Sequence, residues 1–240
     1  MIKFYQSQWH GIDFKSFTTC NAKIIADEDF YNDFYREFFI KYKSFNDLGE
    51  TWLKYKHNIA DEIIKQLDVK HTILSIGCGI GVVENYITEK QSNINILAIE
   101  PSQNTSRWIK NTSNIILKDG YFPDVLDDNL NIDLAYANAI DYVFDDVEYL
   151  KFLKSVVDYG INDFLMISVS YYKPSLKLFV KEFIKDIVTS FGLYKRGQFW
   201  GYLRTIEEQI NFMKLAGFDS VSLEYQSEDT IILKGKIRGV

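Results

Sequence analysis

Cysteine, proline and histidine are all scarce in this chain: two, three and three among 240 residues. Cys20 and Cys78 cannot build a disulfide framework, and no C-x-x-C spacing exists to hold a metal. With so little proline there is no Pro-rich linker, and nothing marks a clean domain boundary. Repeats and low-complexity segments are missing as well. No run approaches the roughly 18 apolar residues that a membrane-spanning helix needs. The amino end, MIKFYQSQWH, lacks a cationic flank followed by an apolar stretch. It does not read as a signal peptide, so a cytoplasmic location is expected. Basic charge is short too: 27 Lys and Arg against 33 Asp and Glu leave a net charge of −6. That balance argues against a general nucleic-acid binder, because neutralising phosphates requires a positive field.

What is abundant is apolar and aromatic. Hydrophobic residues make up 47% of the chain and aromatics 16%, enough for one sizeable core. Residues 27–43 space seven aromatics (Phe30, Tyr31, Phe34, Tyr35, Phe38, Phe39, Tyr42) as a helical stripe. That stripe reads as core packing or as a lid over a crevice. A second helix is expected over 50–68. Short β-rich runs then alternate with helical ones. Strands are expected at 72–76, 95–99, 115–118, 132–137 and 164–169, and helices at 82–89, 102–110, 148–157 and 176–191. Thr205 and Glu208 form a capping box that opens a final helix ending near Gly217. Runs at 221–225 and 230–236 read as a closing hairpin. Alternating strands and helices with a terminal hairpin imply a doubly wound, mostly parallel α/β sheet with one antiparallel strand.

The strongest local signal is LSIGCGIG, residues 74–81. A buried strand runs into Gly77, Gly79 and Gly81 and then into a helix. Such a turn lets a ligand approach the backbone and offers it the helix's unpaired N–H groups. Glu100 closes the next apolar strand, where a carboxylate can accept hydrogen bonds from both hydroxyls of a ribose. A dinucleotide fingerprint would need a third glycine at position 82, where Val82 stands.

The G-x-G-x-G pattern resembles the first motif of class I S-adenosylmethionine-dependent methyltransferases. Asp119-Gly120 after the third strand, Asp133 in the fourth, and RTIEEQINFMKLAGF before the hairpin extend the resemblance over roughly 50–240. It implies a Rossmann-like seven-stranded sheet of order 3-2-1-4-5-7-6, with residues 1–49 as an N-terminal helical cap on a 50–240 catalytic domain. It also implies S-adenosylmethionine as cofactor, held by Gly77, Cys78, Gly79, Gly81, Glu100, Pro101, Asp119, Gly120, Tyr121 and Asn138. Asp119 would face the adenine amino group or serve only as a turn residue. Asp133 is expected to order backbone. The chain departs from many relatives in having DYGIND where they carry a Pro-Gly-Gly turn.

The expected reaction is methyl transfer to a small polar acceptor, including anionic ones such as a phosphorylated metabolite or a nucleotide-linked or capsular sugar. No metal and no nucleic-acid partner is expected. Asp141, Tyr142 and His10 are the candidate catalytic residues. Asp141 acts as general base or merely caps the next helix. His57 and His71 are expected to be structural. Residues 194–204, YKRGQFWGYLR, read as a connection whose Arg196, Tyr202 and Arg204 bind an anionic acceptor, or as a solvated loop. A nicotinamide-dependent oxidoreductase and a non-catalytic nucleotide-binding module are the competing readings.

Overall fold

The computed structural model describes residues 2–67, 72–102, 104–109, 114–127, 130–169, 171–174, 184–185, 187–189, 191 and 196–237. In chain order the elements are β1 (Ile2–Gln6), β2 (Gln8–Trp9), β3 (Ile12–Asp13), α1 (Glu28–Lys41), α2 (Glu50–Ile64), β4 (Thr72–Ile76) and α3 (Val82–Lys90). Then follow β5 (Asn95–Glu100), β6 (Ile115–Asp119), β7 (Leu134–Asn138), α4 (Asp146–Asp158), β8 (Asp163–Ser168) and β9 (Gln198–Leu203). The chain closes with α5 (Ile206–Ala216), β10 (Ser220–Gln226) and β11 (Ile231–Lys236). The expected helix over 176–191 lies largely outside the described residues, as do His71, Tyr194 and Lys195.

The seven-stranded sheet runs β10-β11-β8-β7-β4-β5-β6. β4, β5, β6, β7 and β8 are parallel, and β11 is antiparallel to both β8 and β10. This is the expected α/β order. Alternate side chains divide between the two faces. Leu74, Ile76, Leu97 and Ala135 join α4 and α5 on one, and Ile73, Ile96, Leu134 and Leu165 join α2 and α3 on the other. Asp133 fastens the start of β7 to β4: its carboxylate accepts from the Thr72 N–H at 2.9 Å. The Thr205–Glu208 capping box forms in both directions, and α5 ends on left-handed Gly217. His57 stacks on Tyr86 at 4.2 Å, a packing role.

A third cluster sits at the carboxyl ends of the parallel strands, and it is aromatic. α1 contributes Phe30, Phe34, Tyr35, Phe38 and Phe39, and they meet Phe14, Tyr142 and Trp200. Trp200 stacks on Phe14 at 5.2 Å and meets Tyr31 edge-on at 5.5 Å. Each such pair contributes about 0.5–1.5 kcal/mol beyond its buried area.

Two expectations need correction. The segment 198–203 is no loop: β9 pairs with β1 along its length, Ile2 opposite Leu203 and Gln6 opposite Gln198. The N-terminal segment is therefore a strand, a hairpin and a helix, and its first strand is bound to residues near 200. The helix expected over 102–110 is, among the described residues, a short 3-10 turn at Thr105–Trp108.

Candidate active site

The glycine turn closes as its composition requires. Gly77, Gly79 and Gly81 take φ values of 73°, 58° and 78°, left-handed backbone that side chains disfavour. The N–H groups of Gly77 and Cys78 both donate to the Ile99 carbonyl, at 2.9 and 3.1 Å, which ties the turn to the end of β5. A Cβ at Gly81 would run into Ile109, whereas one at Gly79 would meet nothing within 4 Å. The turn is packed at its foot and open at Gly79.

Glu100 is drawn into this turn. Its carboxylate accepts from the Gly79 N–H at 2.9 Å and from the Ser102 N–H at 3.0 Å. It is 8% exposed. Burial pushes its pKa up to about 7, against the pull of those two N–H groups. Pro101 and the partly buried Cys78 border it. Asp119 ends β6 directly opposite Glu100 in the ladder and is exposed. Gly120 follows, its N–H donating to the Glu100 carbonyl at 3.2 Å. Asn138 ends β7, and its buried side-chain oxygen has no hydrogen-bond partner among the described residues.

α1 lies across these strand ends. Glu28 accepts from the Tyr121 hydroxyl at 2.9 Å, and Asn32 from the Ser102 hydroxyl at 2.9 Å. Tyr35 is close enough to Glu100 for the carboxylate's charge, after burial itself, to push its pKa up. A groove of about 490 Å³ opens between α1 and the Thr105–Trp108 turn, lined by residues including Arg36, Phe39, Lys43 and Arg107. It contains none of the glycine-turn residues.

The acceptor-side expectations fare differently. Asp141 neither caps α4, which Asp145 does, nor faces an open space. It is 0% exposed and accepts from the Ser168 hydroxyl, which in turn accepts from Gln209 at 3.0 Å. Burial lifts its pKa to about 6, while Ser168 and Arg204 pull it down. Tyr142, 9% exposed, lies in the aromatic cluster beside Tyr31 and Trp200. Close approach of β9 is possible only because Gly201 has no side chain, since a Cβ there would strike the Tyr142 carbonyl.

Arg204 is a correction to the acceptor contact expected of it. It is 0% exposed and is the largest fully buried side chain among the described residues. Its guanidinium donates to the carbonyls of Asp141 and Phe144, each at 2.8 Å, and to the Asp146 carboxylate at 3.0 and 3.1 Å. A side chain so committed to its own protein has no donors aimed at a ligand. Arg196 stacks on Tyr5 of β1 at 4.4 Å, and Tyr202 meets Phe199 edge-on at 5.1 Å. Tyr202 belongs to β9, and Arg196 lies two residues before that strand, against β1.

His10 sits in the two-residue turn between β2 and β3, with φ of 49°, followed by Gly11 at 64°. Its carbonyl accepts from the Tyr42 hydroxyl at 2.7 Å and from Lys41 at 3.0 Å. Its ring lies 4.8 Å from those of Trp9 and Trp52. Burial, with Lys56 and Lys41 adding to it, lowers its pKa to about 4, so the imidazole is neutral near pH 7. The Lys56 ammonium lies over the faces of Trp52 and Tyr55, at 5.6 and 5.7 Å. Burial brings it down to about 8. The sequence pattern did not single out Lys56, Ser102 or Asn32. Tyr31 and Tyr35 were visible in it only as part of an aromatic stripe. Among the described residues no cluster of His, Cys, Asp and Glu could hold a metal, and no helix is long and apolar enough to cross a membrane.

No family model and no curated protein matches the sequence. Solved structures do match in fold. Human N-acetylserotonin methyltransferase in complex with SAM aligns over 88% of this chain at a TM-score of 0.59 and 12% identity. Mitomycin 7-O-methyltransferase aligns over 88% at 0.59 and 15% identity. The N,N-8-amino-8-demethyl-D-riboflavin dimethyltransferase of Streptomyces davawensis aligns over 80% at 0.57 and 13% identity. The chain spans 56%, 58% and 57% of those three proteins' lengths.

Proposed function

We propose that this chain, whose fold is that of the class I S-adenosylmethionine-dependent methyltransferases, transfers a methyl group from that donor to a small polar acceptor. The observation that carries the proposal is the meeting of Glu100 with the Gly79 N–H in a left-handed glycine turn, at the carboxyl ends of β4 and β5. The residues present fit an adenosyl sulfonium ligand. Open space at Gly79, a carboxylate able to accept from ribose hydroxyls, and the unmatched Asn138 oxygen all support it. In this reading Glu100 holds the ribose, Asp119 the adenine amino group, and the backbone of Gly77, Cys78, Gly79 and Gly81 borders the donor. Pro101, Gly120, Tyr121 and Asn138 complete its surroundings.

The donor, when bound, supplies an already activated methyl. The chain's share is alignment and exclusion of water. The aromatic layer of α1 and Trp200 suits that exclusion. His10 and Tyr142 remain the proposed acceptor-side groups, His10 as a neutral hydrogen-bond acceptor that positions a hydroxyl, since a pKa of about 4 makes it a weak base. Asp141 is assigned to holding the β7–α4 connection. Lys56 makes no ion pair within 4 Å and no hydrogen bond among the described residues, although the buried Glu84 carboxylate attracts it from farther off, and it lies over aromatic faces. It supports an anionic acceptor, such as a phosphorylated metabolite or a nucleotide-linked sugar. Lys56→Ala is then expected to raise KM for an anionic acceptor while leaving donor affinity alone; identical KM values would remove Lys56 from the acceptor site.

Calorimetry tests the donor. S-adenosylhomocysteine is expected to bind and NAD not to; the reverse result would overturn the proposal. Gly79→Ala is expected to fold at a cost of about 1–2 kcal/mol, because its Cβ meets nothing within 4 Å but its φ of 58° is left-handed backbone. It is expected to weaken S-adenosylhomocysteine binding about tenfold or more, since the methyl group projects into the ligand's space. Parental affinity in that variant would take the glycine turn out of the donor site.

A further inference from the structure

We infer that α1 is itself a wall of the donor site: the hydroxyls of Tyr31 and Tyr35 bind the donor's polar oxygens opposite Glu100, and α1 must lift for the donor to enter. This deepens the donor-binding reading and rests on it. The helical repeat puts positions 28, 31, 32, 35, 38 and 39 on one side of α1. That side meets the ends of three strands in turn. Glu28 holds Tyr121 beyond β6, and Asn32 holds Ser102 beyond β5. Tyr31 lies beside Tyr142 beyond β7. Phe38 and Phe39 close the row on Trp108, at 5.5 and 5.1 Å. These strand ends carry the proposed donor contacts Glu100, Asp119 and Asn138.

Two observations turn this cover into a binding surface. The Tyr31 hydroxyl is buried, and its one polar neighbour of note, the Tyr142 hydroxyl, does not complete a well-formed hydrogen bond with it. A buried hydroxyl without a partner is costly, and a ligand oxygen would relieve that cost. The Asn138 oxygen, at the end of β7, is unmatched in the same way. Tyr35, one helical turn along, is 7% exposed and lies near enough to Glu100 to feel the carboxylate's charge. The need for movement follows from burial: Glu100 is 8% exposed beneath this cover, so a ligand reaching its carboxylate displaces α1. The Tyr121–Glu28 bond, with Tyr121 56% exposed, is the latch at the open edge.

Calorimetry with S-adenosylhomocysteine on the full chain and on Tyr31→Phe and Tyr35→Phe tests the contacts. Backbone hydrogen exchange of α1 with and without the ligand tests the movement. Each variant is expected to raise Kd roughly tenfold, the loss of one hydrogen bond from a buried site. Tyr31→Phe is expected to keep or raise the melting temperature of the ligand-free protein, because its buried hydroxyl completes no well-formed hydrogen bond there; a purely structural tyrosine would lower it. α1 amides are expected to exchange more slowly once the ligand is bound. Parental affinity in both variants with unchanged α1 exchange would overturn this inference and leave the donor reading intact. No binding to the parent protein would overturn both.

Discussion

Arg204→Ala is expected to cost about 3–5 kcal/mol of folding stability, enough to unfold a marginal domain. The ion pair with Asp146 supplies little of this, because that carboxylate is 47% exposed and screened. The loss comes from elsewhere. The carbonyls of Asp141 and Phe144 each lose a donor at 2.8 Å in a buried site, at roughly 1–3 kcal/mol apiece. The space between Tyr149 and Phe212, which the guanidinium fills at 4.5 and 5.6 Å from their rings, becomes a cavity. Arg204→Lys is expected to recover only part, since one ammonium cannot serve both carbonyls and the carboxylate in a plane. Urea unfolding measures this as a lower midpoint with an unchanged slope. A loss under about 1 kcal/mol would mean that the guanidinium is replaceable, and would reopen a role in acceptor binding.

The second large effect is a pair of opposed pH dependences, both from Glu100. Its pKa of about 7 in the folded chain stands above its ordinary 4.5. Between those values the folded protein holds a proton that the unfolded chain has released. Its stability is therefore greatest below pH 4.5 on this account and falls as pH rises toward 7, by roughly 3 kcal/mol. Asp141, raised to about 6 from 3.8, pushes the same way. Thermal melts at pH 5 and pH 7.5 are expected to show the higher midpoint at pH 5, and Glu100→Gln should shrink the difference. Donor affinity should move oppositely. Ribose hydroxyls donate to the ionised carboxylate, whose population rises about tenfold between pH 6 and pH 8 for a group titrating at 7. S-adenosylhomocysteine Kd is expected to fall by up to that factor over this range in the parent. A pH-independent Kd there, or a parental pH profile in Glu100→Gln, would detach the effect from Glu100.

Parts of this site could be read along the chain because their physics is local. The glycines at 77, 79 and 81, set between a strand and a helix, permit left-handed backbone, and all three adopt it. Glu100 ends its strand by position alone. The Thr205–Glu208 box and the Gly217 stop are decided within one helical turn. Asp133 tying β7 to β4 was legible as a backbone-ordering residue. The 3-10 turn at Thr105–Trp108 was not, since the packing of Trp108 against Phe38 and Phe39 of α1 joins segments far apart in sequence.

The amino-acid sequence alone determined the alternating strands and helices, the seven-stranded order through its resemblance, and the ligand-side turn with its carboxylate. These rest on hydrophobic period and turn chemistry over a few residues. Tertiary structure decided the rest. β9 became a strand because β1 reaches it from the other end of the chain, a pairing that no local pattern encodes. Arg204, in sequence a cation among aromatics, went to the interior because three groups of the β7–α4 connection converge on it. The aromatic stripe of α1 could have been core or cover; the sheet's strand ends made it both, since they offered one apolar surface and one set of polar partners to the same side of the helix.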